Sequence, residues 1–170
     1  MKKLIKYAGC WHYQDCRFPS VDQAVCNCPD NLKPNKIIFC DADGVLNNKA
    51  TFKEQLTSFP LCPILIARLK RIIEATGAKV VLSSTWRLSE QGRAEIEKHI
   101  EVYDITISLP SPADRGLEID IWVEDHPEVT KYAIIDDDFD FYASQPLFQT
   151  EFDTGLTEEI ADKVILHLNS

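Results

Sequence analysis

The sequence has no long apolar run. None of the uninterrupted apolar stretches in its 170 residues reaches the roughly 18 residues that a membrane span needs. Near the amino terminus, Lys6 interrupts the short apolar stretch that precedes Cys10. This segment therefore lacks the apolar core of roughly 7–15 residues that is typical of a signal peptide. We expect a cytoplasmic protein that does not enter a membrane.

Basic residues are also few. The chain has 18 Lys and Arg residues against 27 Asp and Glu residues, which gives a formal net charge of -9. Non-specific binding along a nucleic acid needs a positive surface, so the composition argues against a broad nucleic-acid-binding face. It stays compatible with a specific phosphate-bearing substrate, because a bound metal ion can invert the local charge.

Four of the six cysteines fall within the first 28 residues. Residues 1–35 are rich in Cys, Pro, Asn and Asp and show no sustained periodicity, so we predict a separate Cys-rich appendage. Four thiolates suffice for a structural zinc site, and in a reducing compartment clustered cysteines favour metal over disulfides. The predicted ligands are Cys10, Cys16, Cys26 and Cys28, and His12 is an alternative to one of them. Two disulfides or a set of unligated thiols are the alternatives, since the spacing is not the usual pair of Cys-x2-Cys motifs.

From residue 36 onward, short apolar strands alternate with helices. The pattern predicts strands at residues 37–40, 79–83, 105–109, 131–136 and 146–149. It predicts helices at residues 63–75, 89–99, 116–124 and 157–168. This alternation indicates a parallel sheet in a three-layer, Rossmann-like α/β domain over residues 36–170. Residues 47–61 are too few for a large cap domain, so we expect a loop or a short flap there.

Acidic residues follow two of these strands. Asp41 and Asp43 come after the first strand, and Asp136 and Asp137 come after the fourth. Sites in open parallel sheets form outside the carboxyl ends of the strands, where neighbouring strands lie only about 4.8 Å apart. Carboxylates that converge there repel one another unless a hard cation such as Mg²⁺ binds them. The sequence therefore predicts a magnesium site at this edge.

An EF-hand loop would be another explanation for the acids after the first strand. Such a loop needs an acid or Asn at position five, Gly at position six and Glu at position twelve. Those positions hold Val45, Leu46 and Phe52. The spacing excludes an EF-hand.

Three short motifs follow the predicted strands: Asp-Ala-Asp-Gly-Val-Leu-Asn at 41–47, Ser-Ser-Thr-Trp-Arg at 83–87 and Asp-Asp at 136–137. Their composition and order resemble the first, second and fourth motifs of the haloacid dehalogenase (HAD) superfamily, and the resemblance covers about residues 36–169. More narrowly, three segments resemble a small capless group: Ser-Ser-Thr-Trp-Arg at 83–87, Arg-Gly-Leu-Glu-Ile at 115–119, and Gln-Thr at 149–150 followed by Thr-Gly-Leu-Thr at 154–157. That group includes the HAD domains attached to RNA-repair proteins.

The resemblance implies a magnesium-dependent phosphatase that works through an aspartyl-phosphate. It makes Asp41 the nucleophile and Asp43 the general acid and base. It also requires a hydroxyl after the second strand that binds a phosphoryl oxygen. Ser84 is the predicted residue and Ser83 the alternative, with Ser83 and Gly44 beside the substrate.

The resemblance also requires a cation on the phosphoryl group and a set of metal ligands. Arg115 is the predicted catalytic cation, because a guanidinium binds phosphate in a bidentate manner. Arg87 is predicted to contact the substrate and is an alternative for the cation, as is Lys131. The predicted Mg²⁺ ligands are the side chains of Asp41, Asp136 and Asp137 and the backbone carbonyl of Asp43.

Capless members of the superfamily tend to accept large substrates. The resemblance thus implies a phosphorylated small molecule or protein, or the end of a nucleic acid, as the partner. A non-catalytic binding or adaptor module that uses the Cys-rich segment is the alternative function. Phosphoryl transfer to an acceptor other than water is a third.

Overall fold

The computed structural model describes residues 4–7, 10–13, 34–110 and 115–170. The chain divides into two compact units, Met1–Lys33 and Pro34–Ser170. In the first unit, strands β1 (Leu4–Tyr7) and β2 (Cys10–Tyr13) pair in antiparallel fashion. Of the four cysteines predicted to bind zinc, three lie outside the described residues: Cys16, Cys26 and Cys28. Only the backbone of the fourth, Cys10 in β2, is described, so the zinc site stays a prediction.

The second unit contains a five-stranded sheet. Its strands are β3 (Lys36–Cys40), β4 (Lys79–Leu82), β5 (Val102–Ile105), β6 (Lys131–Asp136) and β7 (Leu147–Gln149). The order across the sheet is β5-β4-β3-β6-β7, and every neighbouring pair is parallel. The predicted Rossmann-like α/β architecture is therefore confirmed. Because β3 is central, the residues that follow it lie between the carboxyl ends of β4 and β6.

Helices cover both faces of this sheet. They are α1 (Lys49–Glu54), α2 (Pro63–Thr76), α3 (Glu90–Glu97), α4 (Arg115–Glu124) and α5 (Glu158–Asn169), with a short 3₁₀ helix at Thr85–Leu88. As predicted, Pro63 begins α2, and Gly77 ends it with a left-handed φ of 69°. None of the helices in the described part of the chain has the length and apolar character that a membrane span requires.

The core has two layers because side chains alternate across each strand. On one face, apolar residues of β3, β4 and β6 such as Ile38 and Ile135 pack with α2 and α5. On the other face, Phe39 and its neighbours pack with Ile119 and Trp122 of α4. Close packing of these two apolar layers against the sheet fixes the relative positions of its three central strands.

Two details differ from the sequence-based prediction. The strand predicted at residues 105–109 is wrong, because β5 begins at Val102 and ends at Ile105. Ile105 pairs with Leu82, the last residue of β4, so the backbone beyond it has little strand left to pair with. The segment predicted as a loop or flap, residues 47–61, contains α1, which Asn48 caps by accepting a hydrogen bond from Thr51 N at 3.0 Å.

Candidate active site

Three carboxylates meet at the carboxyl edge of the sheet. Asp41 follows β3, Asp136 ends β6, and Asp137 comes next in the chain. Because β3 and β6 are paired with Cys40 opposite Ile135, their ends coincide, and Asp41 N donates to Ile135 O at 3.0 Å. One oxygen from each carboxylate lies within 4.8 Å of the other two. The structure thus brings together three of the four predicted Mg²⁺ ligands.

Arg115, the first residue of α4, neutralises part of this charge. Its Nη1 donates to Asp136 Oδ2 at 2.5 Å and lies 3.6 Å from Asp41 Oδ1, while its Nη2 donates to Asp138 Oδ2 at 3.1 Å. The Arg115 side chain is 18% exposed, so it can still be reached from solvent. A guanidinium beside the Asp41 carboxylate can bind the anion that approaches that carboxylate.

The electrostatics of the cluster are crowded. Burial, together with the nearby Asp136 carboxylate, raises the pKa of Asp41 to about 7, although Arg115 and a hydrogen bond from Ser84 act in the opposite direction. Burial likewise raises the pKa of Asp136 to about 6, against the effect of Arg115. Burial and the neighbouring Asp138 raise the pKa of Asp137. One arginine therefore does not compensate three carboxylates.

This donor set fits a magnesium ion. Mg²⁺ prefers carboxylate oxygens and keeps several water ligands, and a cluster of three acids with raised pKa values has the negative charge that such an ion would offset. Gly44 adds a steric argument. Its φ is 68°, and a Cβ on it would overlap the Asp137 carboxylate. The loop after β3 can thus approach the acids only with glycine at this position.

The loop after β3 is held at its far side by Thr150. The Thr150 hydroxyl donates to Gly44 O at 2.7 Å, and its backbone N–H donates to Asp136 O at 2.9 Å. Both contacts are buried at the end of β7. A residue from the edge strand therefore sets the spacing between the Gly44 turn and the end of β6.

Asp43 has a different environment from the three clustered acids. Its side chain is not part of the cluster. Its Oδ1 accepts a hydrogen bond from Asn47 Nδ2 at 2.8 Å, and its Oδ2 accepts one from Trp86 Nε1 at 2.9 Å. Both oxygens of the Asp43 side chain are therefore held by N–H donors, and the predicted contact of the Asp43 backbone carbonyl with the metal stays a prediction. This separation suits an acid and base that acts on the substrate.

The two serines after β4 take different positions. The Ser84 hydroxyl accepts from Trp86 N at 3.3 Å, and its hydrogen-bonding effect on the nearby Asp41 carboxyl lowers the pKa of that group. Ser83 is buried, and within the described part of the chain its hydroxyl has no hydrogen-bond partner. The geometry thus places Ser84 beside the predicted nucleophile and leaves the Ser83 hydroxyl with a free donor.

Arg87 lies in the interior. Its guanidinium donates to four backbone carbonyls and to the Glu118 carboxylate, whose Oε2 is 2.6 Å from Nη2. The four carbonyls belong to Ser83, Ser84, Thr106 and Ile107. A guanidinium has five N–H donors, so none remains for a phosphate. These contacts support a structural role for Arg87 in place of the predicted substrate contact.

Lys131 is not at this edge of the sheet. It begins β6, at the opposite end of the strand from Asp136, and its Nζ donates to Ser170 Oγ at 2.8 Å. It cannot supply the cation of the acid cluster. Arg115 alone among the three candidates has that position.

Comparison with known protein families shows to which family the chain belongs. The family model described as the HAD domain in Swiss Army Knife RNA repair proteins matches residues 37–161, well over half of the chain. The chain belongs to this HAD family. Searches of curated proteins and of solved structures found no match. Membership supports a phosphatase-type hydrolase at the level of the superfamily, and the matched range contains all of the residues that form the acid cluster.

Two residues of this HAD site have no role in the sequence-based prediction. Asn47 and Trp86 both occur in the quoted motifs, yet nothing in their spacing shows that they meet Asp43. A weak signal is available, because a buried amide and an indole within catalytic motifs each need a polar partner. Which acid that partner is depends on the fold.

Proposed function

We propose that this HAD domain hydrolyses a phosphate monoester in two steps, with Asp41 as the nucleophile. The observation that supports this most strongly is the placement of Asp41. It lies within the acid cluster, with its Oδ1 3.6 Å from Arg115 Nη1, and it is near the Ser84 hydroxyl. A phosphoryl group beside Asp41 would therefore meet an anionic nucleophile, a guanidinium and a hydroxyl donor together.

Magnesium would be held by carboxylate oxygens of Asp41, Asp136 and Asp137. When bound, it neutralises charge so that an anionic nucleophile can approach an anionic phosphoryl group. The same ion would favour the ionised form of Asp41, which burial otherwise disfavours.

In the first step, an Asp41 oxygen forms a bond to phosphorus, and the bond from phosphorus to the leaving oxygen breaks. Asp43 gives its proton to that oxygen, and the alcohol departs. In the second step, water attacks the phosphorus of the aspartyl-phosphate and gives a proton to Asp43. The Asp41 carboxylate is restored and inorganic phosphate is released. Arg115 and Ser84 donate hydrogen bonds to the phosphoryl oxygens in both steps.

The proposed substrate is a phosphate ester at the end of a nucleic acid. The family description names RNA repair proteins, which is the first support. The second is Phe139, which is 82% exposed and lies two residues after Asp137. An exposed aromatic ring beside such a site can stack on a terminal base. With a net charge of -9, we propose that recognition is confined to the terminal nucleotide.

The proposed chemistry is tested by turnover of 4-nitrophenyl phosphate with and without Mg²⁺. We expect turnover that requires the metal and that falls by at least about 100-fold in Asp41→Asn, since the covalent route is removed. Asp162→Asn is the matched control, because Asp162 is an exposed acid on α5 paired with Arg71. Unchanged turnover in Asp41→Asn would overturn the proposal.

A panel of natural esters tests the substrate. It compares 5′- and 3′-phosphorylated oligonucleotides, nucleotides and phosphopeptides. We expect the highest kcat/KM with an oligonucleotide end, and a lower value in Phe139→Ala with that substrate alone. Absence of turnover across the whole panel would favour the adaptor-module alternative.

A further inference from the structure

We infer that Trp86 and Asn47 are positioning residues for Asp43. We also infer that two residues of the loop after α1, Phe59 and Pro60, hold both of them in place. This inference rests on the proposed function, since it assigns the residues that orient the acid and base of that reaction. The described residues of this HAD domain contain no inserted cap. The inference states what orients the Asp43 side chain in such a domain.

The Asp43 carboxylate is held at both oxygens. Asn47 Nδ2 donates to Oδ1 at 2.8 Å, and Trp86 Nε1 donates to Oδ2 at 2.9 Å. The two donors come from different parts of the chain, one from the same loop and one from the 3₁₀ helix after β4. Two hydrogen bonds from separate elements define the plane of the carboxylate, whereas one would leave it free to rotate. Each oxygen keeps a second lone pair for a proton of the leaving group or of water.

Both donors are themselves buried and hydrogen-bonded. Asn47 is fully buried and Trp86 is 5% exposed. The Asn47 side chain also accepts from Gly44 N at 3.0 Å. Trp86 N donates to the Ser84 hydroxyl at 3.3 Å. Each donor is thus tied to residues that line the acid cluster, which makes Asp43 part of one connected network.

Phe59 and Pro60 supply the remaining contacts of Asn47 and Trp86. Asn47 Nδ2 donates to Pro60 O at 3.1 Å, and the Phe59 ring packs edge-on against the Trp86 ring with centroids 4.9 Å apart. Two adjacent residues, Phe59 and Pro60, therefore contact the two donors. Precise orientation of an acid or base is worth a large factor, because a small misplacement of a catalytic group can cost about 100-fold in rate.

The decisive variant is Trp86→Phe, which removes the Nε1 donor and keeps an aromatic ring against Phe59. The chain offers a closely matched control. Trp122 is also 5% exposed, and its Nε1 donates to a different acid, Asp104, at 2.9 Å. Trp122→Phe therefore loses the same kind of hydrogen bond at a site that has no part in the proposed reaction.

The readout separates the two steps of the reaction. The 4-nitrophenolate group leaves without a proton, so the first step with 4-nitrophenyl phosphate needs Asp43 little, whereas the attack of water needs it as a base. We expect Trp86→Phe to release the first equivalent of nitrophenolate at the wild-type rate and then to slow by about 10–100-fold. With an alkyl phosphate, whose leaving oxygen needs a proton, the first turnover should slow as well. Trp122→Phe should match wild type in every phase.

These results distinguish the inference from the proposal on which it depends. Wild-type protein without Mg²⁺-dependent turnover would refute the proposed function. Wild-type turnover with Trp86→Phe equal to Trp122→Phe would refute the positioning role alone. The positioning role would also be refuted if Trp86→Phe slowed the release of the first equivalent of nitrophenolate as much as the later turnovers, since this would mean general damage to the site. Thermal unfolding of both variants checks that they fold.

Discussion

The contacts of Arg87 support a prediction about stability that separates a structural arginine from a substrate ligand. We consider Arg87→Leu, which keeps much of the side chain's volume and removes its charge and all five N–H donors. The Arg87 side chain is 4% exposed and that of its partner Glu118 is 7% exposed. The substitution leaves a buried carboxylate without its cation, together with carbonyls that have lost their donor.

The expected cost can be bounded from this geometry. Removing one partner of a buried ion pair costs about 3–5 kcal/mol. Loss of the four hydrogen bonds to carbonyls raises this cost. The increase is smaller than the sum of four separate bonds, because the groups share one network and water can hydrogen-bond the freed carbonyls. We therefore expect the free energy of unfolding to fall by about 4 kcal/mol. This is a large share of the roughly 5–15 kcal/mol by which a typical domain is stable. The midpoint of thermal unfolding should fall by about 10 °C for a chain of this length.

The structural reason is the loop after β5. Arg87 donates to Thr106 O and Ile107 O, and Glu118 Oε1 accepts from Leu109 N at 2.8 Å. The pair hydrogen-bonds the backbone of residues 106–109, where the chain leaves the sheet. Arg87→Leu should therefore loosen this loop first, and protection of its amides from hydrogen exchange should fall.

The assay is urea unfolding, with Arg71→Leu as the control. Arg71 pairs with Glu158 and Asp162 on the surface and its side chain is 41% exposed, so its loss should cost far less stability than the loss of Arg87. A cost for Arg87→Leu as small as that of Arg71→Leu would refute the reasoning. So would an unchanged stability accompanied by a raised KM, because that pattern belongs to a substrate ligand.

Three further predictions concern the acid cluster. Gly44→Ala should weaken the apparent affinity for Mg²⁺ by about 10–100-fold in a titration of turnover, because its Cβ would displace Asp137; Gly77→Ala, with a φ of 69° and open space around it, shares the backbone strain and should bind Mg²⁺ normally. Arg115→Met should lower kcat/KM by about 100-fold or more. Arg115→Lys should lower it by less, since lysine keeps the positive charge but cannot donate two parallel hydrogen bonds to a phosphate. In metal-free protein, the raised pKa of Asp41 means that the folded state binds its proton more tightly than the unfolded state does, so this group lowers stability as the pH rises from about 4 to about 7. Asp41→Asn should thus gain stability over wild type across that window, by on the order of 2 kcal/mol in urea unfolding with a chelator, and a constant difference would contradict the assignment.

The sequence predicts much of the fold because the relevant signals are local. Apolar runs of four to six residues followed by acids identify β3 and β6, and Pro63 and Gly77 mark the ends of α2. The alternation of Ile105, Ile107 and Leu109 looks like a strand for the same reason. Only the end of β4 at Leu82 and the contacts of Arg87 show that the chain leaves the sheet there, and neither is local.

The site divides in the same way. Asp41 and Asp136 can be paired from the sequence, because parallel strands bring their carboxyl ends to one edge. The partners of Asp43 cannot, since Trp86 is 43 residues away and reaches it only because β4 lies beside β3. Arg87 shows the opposite case. An arginine within a catalytic motif looks like a phosphate ligand, and only burial beside Glu118 indicates otherwise.

The central claim is that Asp41 carries the phosphoryl group. The most direct measurement uses Asp43→Asn, which should accept a phosphoryl group from 4-nitrophenyl phosphate and hydrolyse it slowly. After incubation with the ester and Mg²⁺ and an acid quench, mass spectrometry should find one added phosphoryl group on the peptide that contains Asp41, and none in the Asp41→Asn, Asp43→Asn double variant. A phosphoryl group on another residue, or none on Asp41 although the wild-type protein turns the ester over, would contradict the account.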